Sequence, residues 1–420
     1  MNIAIIGSGG REHALCFKLS ESKKVKKIFC FPGNAGTENI AKNINVNLSD
    51  FKELKKIIFE NKIEMVIVGP EKPLVEGIVD YLEENNILVF GPNKIAAQLE
   101  GSKTFTKNLC KKYKIPTAKF EVFYESKNAK EFLKKTKYPI VIKADGLAAG
   151  KGVYICENEL SSQNAIKEIF GGKFGKPEKL LIEEFLQGEE MSFFIISDGK
   201  NFKTFETAQD HKRVGEGDTG KNTGGMGAYS PSRLINPNLQ KKIINKIIQP
   251  TLKSLNEIGC SYKGFLYAGL MIIKNEPYLI EYNVRMGDPE CQTIIPRLKT
   301  DLFEIIFSCC KGSLKNINLK WDPRLSLSIV LCSKGYPDKY EKNIKIEGLE
   351  NLVYSKNQFI FHAGTNKVNN EILATGGRVL NFTSLSESFY LCQKKSIELI
   401  NNLNWNNGFY RKDIGFKVIK

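Results

Sequence analysis

The first hundred residues alternate short apolar runs with amphipathic stretches, and each apolar run stops at a glycine or proline turn. Residues 3–6 end at Gly7-Ser8-Gly9-Gly10, 27–31 at Pro32-Gly33, 65–68 at Gly69-Pro70 and 88–90 at Gly91-Pro92. Between them, 12–20, 51–61 and 77–85 have helical patterning; Phe51, Leu54, Ile57 and Ile58 share one face. Short apolar runs without alternation suit strands buried on both faces, as in a parallel sheet with helices on either side. The pattern predicts a doubly wound α/β sheet. The loops after its first three strands then meet at one carboxyl edge, where such folds bind ligands.

At 420 residues the chain is too long for one core and suggests about three domains. After residue 102 the pattern changes. Helices at 103–113 and 128–136 and strands at 140–143 and 180–183 come first. Strands at 192–196, 203–208, 264–273 and 278–283 follow, with an amphipathic helix over 239–258. The last hundred residues read as strands and turns, then a helix over 386–403. Together these predict a mixed α/β chain divided at 1–102, 103–190, 191–325 and 326–420.

Lys plus Arg number 62 against 46 Asp plus Glu, a net charge of +16, the usual first hint of nucleic-acid binding. The basic residues are scattered, however, and only eight are Arg, which reads as a Lys-rich background. Phosphate handling without nucleic acid fits better. The ten cysteines include no C-x-x-C pair, and none has metal-ligand spacing with His13, His211 or His362, so zinc is disfavoured. Most read as free buried thiols of a reducing compartment. No run approaches the ~20 apolar residues of a membrane helix, and Met1 leads straight into a strand without a signal peptide. The expectation is a cytoplasmic protein that works away from membranes.

Gly7-Ser8-Gly9-Gly10-Arg11-Glu12 follows a strand and opens a helix, a setting in which backbone N–H groups hold phosphate. Glu12 stands where a dinucleotide fingerprint needs a third glycine, and no acid ends the second strand, which disfavours a nicotinamide cofactor. A sugar phosphate aided by Arg11 fits; a tight turn without ligand is the competing reading. Gly69-Pro70-Glu71 shares that edge. The loop from Gly146 to Gly152, with Lys151 inside it and Lys143 before it, lacks Walker A spacing. It can still fold over a triphosphate, a hairpin being the alternative. Residues 183–192 mix carboxylates with apolar side chains, as an adenosine site would.

Strand alternation over 278–285 puts Glu281, Asn283 and Arg285 on one face. Two hard oxygen donors suit Mg²⁺, and a guanidinium suits a transferring phosphoryl group. A wet edge strand would look the same. Residues 209–229, too polar and glycine-rich for core, read as a substrate loop. Three of the eight Arg (Arg11, Arg213 and Arg285) fall in these glycine-flanked motifs, where bidentate geometry is useful.

In order, the motifs resemble the phosphoribosylamine–glycine ligases (glycinamide ribonucleotide synthetases) of the ATP-grasp superfamily. The matching segments begin with GSGGREHAL at 7–15, PGNAGT at 32–37, VGPEKPLVEG at 68–77, LEGSK at 99–103 and VIKADGLAAGKGV at 141–153. They continue with IEEFLQGEE at 182–190, QDHKRVGEGDTGKNTGGMGAYSP at 209–231, GFLYAGLM at 264–271 and IEYNVRMGDPE at 280–290. FHAGT at 361–365, GGRVL at 376–380 and RKDIG at 411–415 complete the set. The resemblance implies the N-terminal doubly wound sheet, an ATP-grasp core with a small lid and a small β-rich C-terminal domain. It implies a monofunctional, monomeric ligase of purine biosynthesis. The enzyme would join glycine to 5-phosphoribosylamine through glycyl phosphate, using ATP and Mg²⁺ or Mn²⁺.

Carried over by position, Lys103 and Lys143 would hold ATP phosphates beneath a lid containing Gly146, Lys151 and Gly152. Glu183, Glu184, Phe185 and Leu186 would form the adenine hinge and Glu190 the ribose carboxylate. Glu281 and Asn283 would bind the metal. Gly9, Gly10, Arg11, Glu12, Asn34, Gly69, Pro70 and Glu71 would receive the sugar phosphate, with Arg213 also on substrate. Asp210, Lys212 and Arg285 are the catalytic candidates. Many ATP-grasp enzymes carry another acidic ligand on the preceding strand, but Gly269-Leu270-Met271 offers none, which implies a sparser metal site. Another carboxylate–amine ligase or carboxylase, and a basic RNA-binding module, are the alternatives.

Overall fold

The computed structural model describes residues 1–148, 152–175, 179–403 and 405–419. The glycine-punctuated runs are strands β1 (Asn2–Gly7), β2 (Lys27–Pro32), β3 (Lys42–Asn43), β4 (Met65–Val68) and β5 (Leu88–Phe90). They pair in parallel in the order β3-β2-β1-β4-β5. Helices α1 (Gly10–Ser20), α2 (Phe51–Glu60), α3 (Glu71–Glu76) and α4 (Ile78–Glu84) connect them. Alternate residues feed opposite faces. Ala4, Ile6, Val66 and Val68 pack with Leu54, Ile58 and Leu82 of α2 and α4. Ile3, Ile5, Met65 and Ile67 pack with Ala14, Leu15 and Leu19 of α1. The sheet is doubly wound, as expected. The helix expected over 77–85 is instead the second of a pair, broken at Gly77, whose φ of 98° is left-handed.

Helix α5 (Gln98–Gly101) leads into α6 (Lys103–Tyr113), which the Ser102 side chain caps by accepting the Phe105 N–H. A four-stranded antiparallel sheet follows: β6 (Phe120–Phe123), β7 (Ile140–Ala144), β8 (Val153–Cys156) and β9 (Leu180–Glu184), ordered β6-β9-β7-β8. Helices α7 (Ser126–Leu133) and α8 (Glu159–Phe170) cover it, and Leu133, Ile142, Ile166, Ile169 and Leu180 make its separate core. Such a small core carried on strands is what a lid requires.

Strands β10 (Glu189–Asp198) and β11 (Phe202–Thr204) come next; the second stops at Thr204, short of the expected 208. Residues 209–229 are ordered strand pairs where a loop was expected: β12 (Gln209–Asp210), β13 (Arg213–Gly215), β14 (Thr219–Asn222) and β15 (Gly227–Ser230). The helix expected over 239–258 is present as α9 (Pro237–Ile243), one π turn over Ile244–Ile248, and α10 (Gln249–Glu257). Pro250 accounts for the π turn, since it has no N–H to give to the turn before it. Strands β16 (Lys263–Ile273) and β17 (Glu276–Asn283) complete an antiparallel sheet ordered β11-β10-β16-β17.

Helices α11 (Glu290–Ile294) and α12 (Leu302–Cys310) return the chain to the first sheet, where Phe303 and Ile305 join the α1 face. The remaining elements are β18 (Leu325–Ser333), β19 (Ile344–Lys345), β20 (Gln358–His362), β21 (Thr365–Val368), β22 (Glu371–Ala374), β23 (Arg378–Ser386), α13 (Phe389–Asn401) and β24 (Gly408–Phe409). The C-terminal sheet is ordered β12-β15-β18-β23-β20 and so borrows two strands from the 209–229 segment. All ten cysteines are unpaired, and no described helix is long and apolar enough to cross a membrane.

Candidate functional site

Register sets Ser192, Gly269 and Glu281 abreast on β10, β16 and β17, with Tyr267 opposite Asn283. Side chains two residues apart share a strand face, so Glu190, Ser192, Tyr267, Gly269, Glu281 and Asn283 line one surface. A Cβ on Gly269 would stand 3.3 Å from the Glu281 Cγ, so glycine here leaves room for the carboxylate. The Lys212 Nζ lies 2.8 Å from Glu190 Oε2 and 3.9 Å from Glu281 Oε1. Burial works against the Glu281 carboxylate, but the charges of Lys212, Lys143, Lys103 and Arg285 hold it below the usual carboxylate range. Among the described residues no three His, Cys, Asp or Glu side chains gather as a metal site. Glu281 and Asn283 stand two residues apart on the same face of β17, both with oxygen donors.

Lys103 opens α6 and donates to the Gly146 carbonyl at 2.8 Å, which ties the helix to the lid loop. Asp145 reinforces the tie by accepting the Thr104 N–H at 3.1 Å and pairing with Lys179 at 3.3 Å. Lys143 on β7 lies 3.0 Å from Glu183 Oε2. Lys107 of α6 meets the same oxygen at 2.9 Å. The Glu183 side chain, expected at an adenine hinge, is thus pinned between two lysines, and its other oxygen is buried without a partner. Glu184 accepts the Lys119 N–H at 2.9 Å, while Phe185 is exposed and Leu186 half-buried. Lys151 lies outside the described residues.

Asp210 ends β12 in a second group. Its Oδ1 is buried and has no hydrogen-bond partner. Burial, then the charge of Glu290, push its carboxyl well up, against Lys212 and Arg378. Glu290 opens α11, 2% exposed, and its Oε1 accepts from Ser192 Oγ at 3.0 Å; the same hydroxyl stands 3.0 Å from Tyr267 Oη. A Cβ on Gly225 would meet Asp210 Oδ1 at 2.8 Å, so the turn between β14 and β15 lies directly against this carboxyl. Lys212 faces both groups. Arg213, one residue on, points elsewhere: its Nη1 donates to Gly220 O at 2.7 Å and closes the β13–β14 hairpin. The RKDIG motif holds that hairpin, through Arg411 to Asp218 and Asp413 Oδ2 to the Gly217 N–H.

The glycine loops are filled by their own acids. Glu12 reaches back to the Gly9 N–H at 2.7 Å and pairs with Arg11 Nε at 2.6 Å, capping the start of α1 from its third residue alone. A Cβ on Gly7 or Gly69 would run into the Glu12 side chain, which explains glycine at both positions. Asp288 accepts the Arg11 N–H at 3.3 Å. Two N–H groups of the helix end expected to take phosphate are therefore met by carboxylates. Asn34 is likewise spent, on Ser8 and His362 carbonyls and the Gly36 and Thr37 N–H groups.

Beyond Asn283 the strand has ended, so Arg285 is aimed by acids and not by the pleat. Its Nε lies 3.1 Å from Glu71 Oε2 and its Nη2 2.7 Å from Glu100 Oε1. The structure brings Glu71, Lys103, Lys143, Lys212, Glu281 and Arg285 into one charge network and leaves Arg213 outside it. Sequence reading missed Lys107, Glu290 and Arg378. Arg378 binds the Gly224 carbonyl at 2.6 Å and pairs with Asp288 at 3.3 Å. Its signal was present, since it is one of eight Arg and follows Gly376-Gly377.

Three family models match in succession. The phosphoribosylglycinamide synthetase N domain covers 1–100, the ATP-grasp (A) domain 101–291 and the C domain 326–417. A phosphoribosylamine–glycine ligase of Haemophilus influenzae is 46% identical, covering 100% of this chain and 99% of its own. That of Agrobacterium fabrum is 45% identical over 100% and 99%. The crystal structure of the phosphoribosylamine–glycine ligase of Thermotoga maritima superposes with a TM-score of 0.86 at 34% identity, covering 99% of this chain and all of that one. The biotin carboxylase domain of Hydrogenobacter thermophilus 2-oxoglutarate carboxylase, at 17% identity and TM-score 0.72, shares the fold. This chain belongs to the phosphoribosylglycinamide synthetase family.

Proposed function

We propose that this enzyme joins glycine to 5-phosphoribosylamine through glycyl phosphate, with ATP consumed to ADP and phosphate. The observation that carries the reading is the convergence of Lys103, Lys143, Lys212 and Arg285 on Glu281, beneath the small-cored lid. Four cations around an open face suit a triphosphate, whose transfer to a carboxylate needs positioning and charge neutralisation more than covalent chemistry. The glycine carboxylate attacks the γ-phosphate, and the amine of phosphoribosylamine then displaces phosphate from the acyl group. Lys103 and Lys143 would hold the phosphates and Arg285 would steady the phosphoryl group in flight. The lid would exclude water from the acyl phosphate.

Glu281 and Asn283, both hard oxygen donors, fit a divalent cation, Mg²⁺ or Mn²⁺, which would neutralise charge on the phosphates. Asp210 and Lys212 would face glycine or the acyl intermediate, and Glu190 the ribose of ATP. The loops at Gly9, Asn34 and Gly69–Glu71 would frame the sugar phosphate, with their own acids as the walls. The ten unpaired cysteines suit a reducing compartment, and we place the enzyme in the cytoplasm.

Release of ADP by the purified chain is the test. It should require glycine and phosphoribosylamine together. Equal release with D-alanine or bicarbonate in place of glycine would overturn the assignment.

A further inference from the structure

Glu100 belongs to the LEGSK motif, whose Lys103 is read as a phosphate ligand while its acid has no role so far. It sits on α5, between the first sheet and the central one, its side chain 10% exposed. Its two oxygens divide their work. Oε1 accepts from Arg285 Nη2 at 2.7 Å, and Oε2 accepts the Val284 N–H at 2.8 Å. One carboxylate thus fixes both the backbone leaving β17 and the guanidinium on the next residue. Glu71 takes Arg285 Nε at 3.1 Å from the other side, and the Met286 carbonyl accepts from Nη1 at 3.3 Å. Every nitrogen of the guanidinium is thus anchored, and its planar fork has a set direction.

We propose that Glu100 is a positioning residue for phosphoryl transfer, its carboxylate setting the aim of the Arg285 guanidinium. The inference rests on the ligase reading above. The opposite jaw of the clamp is Glu71, which opens α3 just after the Gly69-Pro70 turn offered to the sugar phosphate, so the clamp also joins the two substrate regions. A neutral isostere cannot replace Glu100. A glutamine has one acceptor oxygen for two donors and would present its own NH₂ to either Arg285 or the Val284 N–H. Arg285, Glu71, Arg11, Lys103 and the Tyr262 hydroxyl are the charged and titratable groups near Glu100. Burial lifts its carboxyl to about 7, with Arg285 opposing and Glu71 adding to the rise. The Glu100 side of the clamp is a carboxylate above that pH and a neutral acid below it, while Arg285 and Glu71 stay charged.

The experiment compares the full-length parent with Glu100→Gln and Glu100→Asp, by ADP release across ATP concentration and pH and by thermal melting. E100Q should lose roughly 10- to 100-fold in kcat. Its KM for ATP and for glycine should stay within about twofold. The parent should show an acid limb near pH 7 in kcat/KM for ATP, and E100Q should lack it. E100D, which keeps the charge but not the reach, should recover part of the rate. A parent-like kcat in E100Q, a loss confined to KM, or an unchanged acid limb would each overturn the proposal. If E100Q fails to fold, E100D decides alone: a lowered kcat at constant KM supports the clamp, and a parent-like kcat overturns it. A parent that releases no ADP with both substrates fails the ligase reading itself, before any variant is compared.

Discussion

Two regions of this enzyme crowd charge, the β10–β16–β17 face and the glycine loops, and they differ in what the charges are for. On the β10–β16–β17 face the network is open: the Lys212 side chain is 32% exposed and that of Glu281 35%. At the glycine loops it is closed: Arg11 is 7% exposed and Glu12 1%, and their hydrogen bonds run to the Gly9 N–H, the Met286 carbonyl and each other. An open network can trade a protein partner for a ligand at little cost, because water already shares the site. A closed one cannot, since loss of either partner leaves a buried charge unpaired. The first kind therefore suits chemistry and the second holds the backbone around it, although the sequence presents both as glycine-flanked ionic motifs.

The comparison breaks most visibly at Glu281. Glu281→Ala should lower turnover by on the order of 10³-fold while leaving the melting temperature close to the parent's. ADP release and a thermal melt on the same preparation check this. Retained activity, or a melt that falls with the activity, would place Glu281 with the structural acids. Next in size is Glu12→Gln, which removes the buried negative charge paired with Arg11. It should cost about 3 kcal/mol of stability in urea unfolding. The kcat of its folded fraction should fall far less than that of Glu281→Ala. A stable Glu12→Gln protein with lost turnover would reverse the assignment of the two regions.

Most of the fold was legible because its signals are local. Apolar runs ended by glycine fixed the parallel sheet, and the alternation at 281 and 283 marked the strand face. What was illegible depends on distant partners. The β13–β14 hairpin looked like a loop because Arg411 and Asp413, about 200 residues on, hold it. Lys107 looked like any lysine of a Lys-rich helix until β9 brought Glu183 to it. Arg285 was expected to follow the strand pleat, but β17 stops two residues earlier and Glu71 and Glu100 direct it instead. At α1 the Gly9 and Arg11 N–H groups meet Glu12 and Asp288, which glycine spacing does not reveal.

The smallest effect concerns acid, and it tests the closed side of the comparison. His13 on α1 and His362 on β20 meet where the first and last sheets join, the His362 N–H donating to His13 Nδ1 at 2.9 Å. Burial, with the charge of His362 adding, lowers His13 to about 3; burial alone lowers His362 to about 4. His211, which accepts the Gly415 N–H through Nε2, is lowered to about 4 by burial and then by Arg411. An unfolded histidine binds its proton near pH 6.5, well above these folded values. Below pH 6.5 the unfolded chain therefore holds more protons at these three sites than the native one, and their contribution to stability falls as pH drops toward 4; Glu100 and Asp210, whose carboxyls are raised by burial, contribute with the opposite sign. Each histidine should remove roughly 2 kcal/mol by pH 5, at 1.36 kcal/mol per unit. Urea unfolding of the parent and of His13→Asn between pH 7 and 5 isolates that share. His13→Asn, whose side-chain oxygen can still accept the His362 N–H, should remove one histidine's share, roughly 2 kcal/mol between pH 7 and 5. Glu281→Ala should leave it intact, because that residue belongs to the open network. A His13→Asn slope equal to the parent's would mean that acid enters elsewhere, and that the sheet junction is not sealed as its geometry implies.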